Sequence, residues 1–403
     1  KIIWRNILYF DITCCTFNIG QHKRRKTDMK WIKQCILFLA VCFLSGCWDD
    51  KEMEDRSYII TMGIDKSRDD NRYVITLAPA QLSSMNSGEE SSSSEAPEKG
   101  IIVKGDTIAT AIRQADTYSS RQVYLGQLKT VVLGKELLQE KEYLQSVLDE
   151  LERNQDISGK IILLGTEGTA KECIDAILEA DASTGLFIWD FYKNTAQDVA
   201  VTRKLDLETF LREIRSSSGS SILPKIEATE QGIKIGGGIV ISNYAFIGSL
   251  TGKQEEGVLL LQGMGKGAVI DGIWKNNTIP MWIYKNKSKL YFSEQNDELF
   301  CHIQLFIEGS AEGSSLESKS IFDSDSLTEL QNVFEIIIKS EIENTIALAQ
   351  KNYKQDIFDI ASELKKKNFE LYNKYGTDAN EMIQNMHFDV SVSVKIRTIG
   401  VVD

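Results

Sequence analysis

Apolar residues along this chain keep two spacings, and the switches between them outline its elements. Residues 57–64 (SYIITMGI) and 73–79 (YVITLAP) are β-type runs around a polar turn at Asp69-Asp70-Asn71, which predicts a hairpin. Residues 101–103 are short and extended. Asp106 or Thr107 then caps a helix to about Tyr118, with Ile108, Ala111, Ile112 and Ala115 on one face. Strands at 129–133 and 160–164 alternate with helices at 142–153 and 169–180. Strand-helix alternation of this kind predicts helices packed on a sheet.

After a helix over 206–215 the pattern turns mainly β. Strands are predicted at 222–228, 233–241 and 245–250, then at 268–274, 281–284, 289–292 and 300–307, with a short helix at 255–262 between the two groups. Gly/Asn turns between them point to an antiparallel meander. Residues 326–353 carry Leu330, Phe334, Ile337, Ile338, Ile342, Ile346, Ala349 and Tyr353 as one helical stripe. A second helix is predicted at 356–367. Residues 387–399 alternate strictly, Phe388, Val390, Val392, Val394 and Ile396 against Asp389, Ser391, Ser393, Lys395 and Arg397. That strand belongs in the antiparallel sheet, with the long helix covering its apolar face. The fold class is therefore mixed α/β to α+β and multi-domain: an N-terminal α/β layer (47–203), a central antiparallel β region (204–325), and a C-terminal long helix plus strand packed on a sheet (326–403).

The start of the chain reads differently. Lys30 and Lys33 precede an apolar run, 35–44 (CILFLAVCFL), which ends in Leu44-Ser45-Gly46-Cys47. A basic segment, a short apolar segment and small residues make a secretory signal. With cysteine at the cut it is a bacterial lipobox, predicting cleavage between Gly46 and Cys47 and a diacylglycerol thioether on Cys47. The run is about half of the ~20 residues a spanning helix needs, and two acyl chains anchor stably where one does so marginally. The signal peptide reads naturally from Met29, as 29–46. Residues 1–28 are either an upstream, non-native extension or a long basic n-region.

Charge and cysteine count change once the signal is removed. The whole chain has net charge −12; residues 1–46 hold eight Lys/Arg and two Asp/Glu, leaving 38 basic against 56 acidic residues, or −18. Such a chain is a poor nucleic-acid binder and is repelled by anionic headgroups. Three cysteines remain, Cys47, Cys173 and Cys301. Whether the last two pair is open, two lone buried thiols being the plainer reading. Residues 83–100 (SSMNSGEESSSSEAPEKG) are too polar to order themselves and read as a disordered acidic loop.

Candidate chemistry is sparse. His302 and His387 are distant and lack ligand partners at zinc spacing. Gly263-Met264-Gly265-Lys266-Gly267 lacks both phosphate-loop spacings and reads as a turn. Gly236-Gly237-Gly238 within a strand pattern reads as a bulge or a tight backbone contact. There is no G-x-S-x-G elbow. Acid pairs such as Glu255-Glu256 are too common in this chain to be informative. No catalytic residue, metal or cofactor is predicted; the site residues are Gly46 and Cys47, for cleavage and lipidation.

From Cys47 onward the chain resembles the Ger(x)C family, the lipoprotein subunit of spore nutrient germinant receptors. The resemblance lies in Cys47-Trp48-Asp49-Asp50-Lys51-Glu52-Met53, in 59–65 (IITMGID), and in Tyr124-Leu125-Gly126-Gln127-Leu128-Lys129, where the family usually has His at the Gln127 position. It continues through Gly238-Ile239-Val240, Gly248-Ser249-Leu250, Glu256-Gly257, 353–358 (YKQDIF) and Arg397-Thr398-Ile399-Gly400. The resemblance implies a three-domain fold of unusual topology. It implies a complex with two integral membrane partners, one A-type and one B-type, at the outer face of the spore inner membrane, and a scaffolding or coupling role without enzymatic activity. Trp48, Asp49 and Glu52 would either orient the chain as it leaves the membrane or pack in the first domain. A lipid-anchored solute-binding protein of a transporter is the alternative, disfavoured by the absence of two similar lobes. An envelope hydrolase is weaker still, for want of a nucleophile motif.

Overall fold

The structure is a computed structural model describing residues 55–70, 72–80, 100–180, 186–195, 202–217, 219–312 and 324–400. Gly46, Cys47, Trp48, Asp49, Glu52 and all of the acidic loop but Gly100 lie outside the described residues.

The predicted hairpin is β1 (Arg56–Lys66) with β2 (Tyr73–Pro79), and β3 (Ile101–Gly105) adds antiparallel to β2. Thr107 caps α1 (Ile108–Ala115), exchanging hydrogen bonds with Thr110. Short β4 (Gln122–Tyr124) runs parallel to the start of β1. Then come β5 (Thr130–Leu133), the one-turn α2 (Lys135–Leu138), α3 (Lys141–Arg153), β6 (Ile162–Gly165) and α4 (Ala170–Ala180). Strands β1, β5 and β6 are parallel neighbours; α2 and α3 carry the chain from β5 to β6, while β2, β3, α1 and β4 lie between β1 and β5. The one-turn α5 (Phe187–Asp190) leads into a π-helical turn, Phe191–Thr195, and α6 (Leu207–Ser216) is capped by Asp206.

The predicted β meander is two meanders, separated by a helix. Strands β7 (Ser221–Thr229), β8 (Gly232–Ser242) and β9 (Ala245–Leu250) complete the first sheet, whose order is β3-β2-β1-β5-β6-β7-β8-β9 with β4 beside β1. Helix α7 (Gly252–Leu261) intervenes. Strands β10 (Val269–Trp274), β11 (Asn277–Gln295) and β12 (Glu298–Glu312) start the second sheet. Helix α8 (Ser324–Ala347) runs on as a π-helical turn, Leu348–Tyr353. After it come α9 (Ile360–Lys367), α10 (Phe369–Tyr375), α11 (Ala379–Asn385) and β13 (His387–Gly400).

Several elements differ from their sequence reading. Segments 281–284 and 289–292 are one 19-residue strand. The Lys285–Lys289 stretch looks like a turn because it is polar throughout, with Lys285, Lys287 and Lys289 exposed, yet its backbone pairs with β12, with one irregularity between Ile283 and Lys285. The helix read from 356 begins at Ile360, because Asp356 sits ahead of it and accepts the N–H groups of Phe358, Ile360 and Ala361. Helices α10 and α11 were not legible as separate elements. Strand β13 does join the second sheet, in the order β10-β11-β12-β13, but runs parallel to β12. Its open edge is partly closed by α8: the N–H groups of Val394 and Ile396 donate to Glu335 and Gln331 at 2.9 and 3.1 Å.

Three cores follow. One face of the first sheet packs on α1, α2, α3 and α6 through residues such as Leu144, Leu148 and Phe210. The other packs on α4 and α5, with Ile174, Ile177 and Ile188. The third core holds the inner face of the second sheet, the Leu330-Phe334-Ile338-Ile342 stripe of α8 and part of α7. It also takes in Ile222, Val240 and Leu250 of the first sheet, so the two sheets share apolar contacts and are not beads on a string.

Candidate ligand-binding cleft

Between α6, α7 and the segment ahead of α9 lies a cleft of about 890 Å³. Its most unusual occupant is Glu255, from the first turn of α7. Thr251 and Gln254 cap that helix reciprocally, which fixes its first turn and aims Glu255 inward. Glu255 is fully buried, and neither carboxyl oxygen has a hydrogen-bond partner. Gly238 of β8 makes the room: a Cβ there would stand 2.6 Å from Glu255 Oε2. Burial pushes the carboxyl up to about 7, with the Arg203 charge pulling the other way.

Arg203 makes no hydrogen bond to Glu255: its Nη atoms are committed elsewhere, and its Nε is buried without a partner. It holds Glu213 through two bonds of 3.0 and 2.7 Å, and donates to Ser221 Oγ and the Ile222 carbonyl at 3.2 and 2.7 Å. Besides Arg203 Nε, three further buried atoms of cleft-lining residues lack partners: Tyr192 Oη, Gln262 Oε1 and Ser288 Oγ. Ser220 Oγ at the mouth donates to Gln355 Oε1 at 3.1 Å. Asp356, on the opposite wall, is fully used as the cap ahead of α9, yet burial still pushes it up to about 6.

Beside the cleft, α7 meets α8 at very close range. A Cβ on Gly257 would stand 2.3 Å from Thr345 Oγ1. Next to that contact, Glu256 and Glu341 are both buried, with Lys253 3.6 Å from Glu341. Burial first and the Glu341 charge second push Glu256 up to about 8, and burial raises Glu341 as well. Each carboxyl thus resists ionisation, through burial and, for Glu256, through the neighbouring Glu341 charge. On the far side, the Tyr353 ring lies on Gly248, where a Cβ would meet its Cε1 at 2.5 Å, and the phenol donates to the Ser249 carbonyl at 2.7 Å. The Ser249 hydroxyl donates to Glu167 at 2.6 Å, which holds that carboxyl below its usual range with help from Lys225.

Comparison with known proteins accounts for nearly all of this chain. Residues 49–228 match the spore germination protein N-terminal domain, and residues 236–400 match the spore germination B3/GerAC-like C-terminal domain. The chain belongs to the Ger(x)C family of spore germination proteins. Spore germination protein B3 of Bacillus subtilis (strain 168) is 24% identical over 395 residues, covering 94% of this chain and 99% of that protein. Spore germination protein KC of the same organism is 22% identical over 397 residues, covering 92% and 97%. The crystal structure of the GerBC protein superposes with a TM-score of 0.57 at 18% identity, covering 83% of this chain and 96% of that one. The fold is thus the GerBC fold, as the mixed multi-domain reading requires.

Most Ger(x)C-like residues singled out in the sequence are packing devices. Asp65, at the end of the 59–65 stretch, accepts the Ala170 and Lys171 N–H groups at 2.7 and 2.9 Å and so caps α4. Gly63 lets Ala170 and Ile174 come within 3.1 Å of where its Cβ would be. Gly126 lies under the Tyr124 ring, and neighbouring Gln127 is exposed. Gly237, at φ +78°, sits where a side chain would strike the Leu250 carbonyl, which is the tight contact expected of the glycine triplet. The Gly263–Gly267 stretch connects α7 to β10 as a turn, with φ +78° and +90° at its first and last glycines. Cys173 and Cys301 are separate buried free thiols. His302 lies between Ser293 and Asp389, 3.0 and 3.2 Å away, and His387 pairs with Glu298 at 3.1 Å; Phe300 stacks beside both rings. Among the described residues no cluster of three or more His, Cys, Asp or Glu could hold a metal ion.

Reasoning from sequence missed Arg203 and passed over Glu255-Glu256 as an uninformative acid pair. Both glutamates are buried. The available clue was their setting: two acids inside the QEEGVLLL stretch, followed directly by Gly257 and four apolar residues.

Proposed function

We propose that this chain is a lipid-anchored, non-enzymatic subunit of a nutrient germinant receptor. Cys47, freed by cleavage after Gly46, carries the acyl chains and ties the protein to the outer face of the spore inner membrane. There it scaffolds or couples two integral membrane subunits, one A-type and one B-type. The observation that carries this reading is membership of a spore germination family along nearly the whole chain, joined to the Leu44-Ser45-Gly46-Cys47 lipobox. The relatives described above are named for germination and none for a catalytic activity. Among the described residues no helix is long and apolar enough to cross a membrane, and the anchor this reading assigns is Cys47. A balance of −18 keeps the folded part away from anionic headgroups.

The test is co-purification of the tagged chain from detergent-solubilised spore inner membranes, wild type beside Cys47→Ala. Two integral membrane proteins retained by the wild type, with acylation and receptor function lost in the variant, are the expected result. Full germination by the unacylated chain would refute the anchoring role. An anchored chain that comes down alone, or with a transporter permease, would refute the receptor role.

A further inference from the structure

A sheet face open to water ordinarily carries polar residues, and the outer face of the second sheet does not. Of the twelve large apolar residues that stand exposed among the described residues, five form one strip on this face: Val269, Trp282, Tyr284, Phe306 and Tyr291. Val269 of β10 pairs with Trp282 of β11, and Tyr284 follows at the irregularity in that strand. Phe306 of β12 pairs with Lys287, and Tyr291 with His302. From Trp282 to Tyr291 the strip runs about 30 Å along β11. Single exposed apolar residues need no explanation, but a contiguous strip of this length marks a surface that something covers. Charge on the strip also departs from the rest of the chain, whose net charge is −12. Between the Trp282 and Tyr291 rows stand five cations, Lys285, Lys287, Lys289, Lys395 and Arg397, against two acids, Glu308 and Asp389. Lys285 and Arg397 both hold Glu308, at 2.7 and 3.0 Å. Lys289 lies 5.6 Å from the centre of the Phe306 ring, and among the described residues Lys287, Lys289 and Lys395 make no ion pair.

We propose that this strip is the surface by which the chain grips one of its integral membrane subunits, and that the partner meets it with an apolar centre rimmed by carboxylates. The inference rests on the receptor reading above and adds to it the contact face and the chemistry of what it meets. Trp, Tyr and Arg carry most of the binding energy at protein interfaces, and Trp282, Tyr284, Tyr291 and Arg397 supply all three types here. The surplus of cations selects an acidic partner by charge complementarity. A second copy docked face to face would set five cations against five, which disfavours a symmetric dimer through this strip. An anionic bilayer is negative over its whole area and repels the remainder of this acidic chain. A carboxylate rim on a protein acts only within about 8 Å, where the strip itself lies.

The test is co-purification of the tagged, acylated chain from detergent-solubilised spore inner membranes, with the retained proteins identified by mass spectrometry. One variant joins Trp282→Ala to Tyr284→Ala. A second joins Lys287→Glu to Lys395→Glu, which leaves every apolar side chain in place and keeps the proposal testable if the first variant folds poorly. Each should retain one membrane subunit about tenfold less than wild type while remaining anchored. Tyr118→Ala, at an exposed aromatic just after α1, should retain both subunits within about twofold of wild type. A photo-crosslinking phenylalanine analogue placed at Tyr284 should join the chain to that same subunit in intact membranes. Undiminished retention by the charge-reversed variant, or a crosslink from Tyr284 only to lipid or to a second copy of this chain, would overturn the proposal alone. Wild type that retains no membrane subunit would overturn the receptor reading, and this proposal with it.

Discussion

Replacing Glu255 with Gln should stabilise this protein, and only above a definite pH. The ordinary value of a Glu carboxyl is 4.5, and burial pushes Glu255 up to about 7. Below 4.5 the group is neutral in folded and unfolded chains alike and costs nothing electrostatically. Between 4.5 and about 7 the unfolded chain ionises while the folded chain holds its proton, so folding loses about 1.4 kcal/mol for each pH unit. Above about 7 both forms are ionised and the loss levels off at about 3 kcal/mol. The stability is thus present at low pH and lost as pH rises through the folded value. Gln cannot ionise and escapes the loss. Its amide brings two donors that need partners, so at pH 5 the variant should lie within about 1–2 kcal/mol of wild type. Urea unfolding midpoints at pH 5, 6, 7 and 8 give the comparison. Glu256, Glu341 and Asp356 are also raised by burial, but they are present in both chains and cancel. The gap between variant and wild type should widen by about 2.5 kcal/mol from pH 5 to pH 8. A gap that stays flat with pH, or narrows, would refute the assignment of Glu255 as a buried, unpaired carboxyl.

Other substitutions probe the joint around the cleft. Gly257→Ala drives a methyl group to within 2.3 Å of Thr345 Oγ1; forcing α7 from α8 should cost about 1–3 kcal/mol, read as a lower thermal midpoint. Tyr353→Phe deletes the 2.7 Å bond to the Ser249 carbonyl while keeping the ring on Gly248, and should cost about 1 kcal/mol in denaturant unfolding. Cys173 and Cys301 are buried, and burial pushes their thiols up to about 11 and about 12. In the chain cut before Cys47, neither should react with a thiol reagent at pH 8 until denaturant is added; fast labelling of the folded chain would contradict their burial.

Element type was legible wherever one periodicity ran long enough. The α8 stripe from Leu330 to Ile346 and the strict alternation of β13 each bury one face, and a buried face writes its period into the sequence. Local chemistry was legible too: Thr107 and Asp206 cap helices where the sequence placed helix starts. The proposed lipobox at Leu44-Ser45-Gly46-Cys47 is likewise a linear string, a reading that needs no fold. Elements held by partners were harder to see. The Lys285–Lys289 half of β11 has strand backbone only because β12 lies alongside, and Asp356 delays α9 because its carboxylate captures three N–H groups.

The sequence by itself determined the helix and strand faces, the mixed α/β class and the family, because each is encoded in neighbouring residues or in a period. Only the tertiary structure decided that β7–β9 join the first sheet while β10–β12 found the second, and that β13 runs parallel to β12. It alone brought Glu255 over Gly238, closed Arg203 onto Glu213, and set Gly257 against Thr345. These are relations between segments distant along the chain. Burial, which turns an ordinary glutamate into an unpaired one, is a property of what surrounds a residue, and no local pattern of charge carries it.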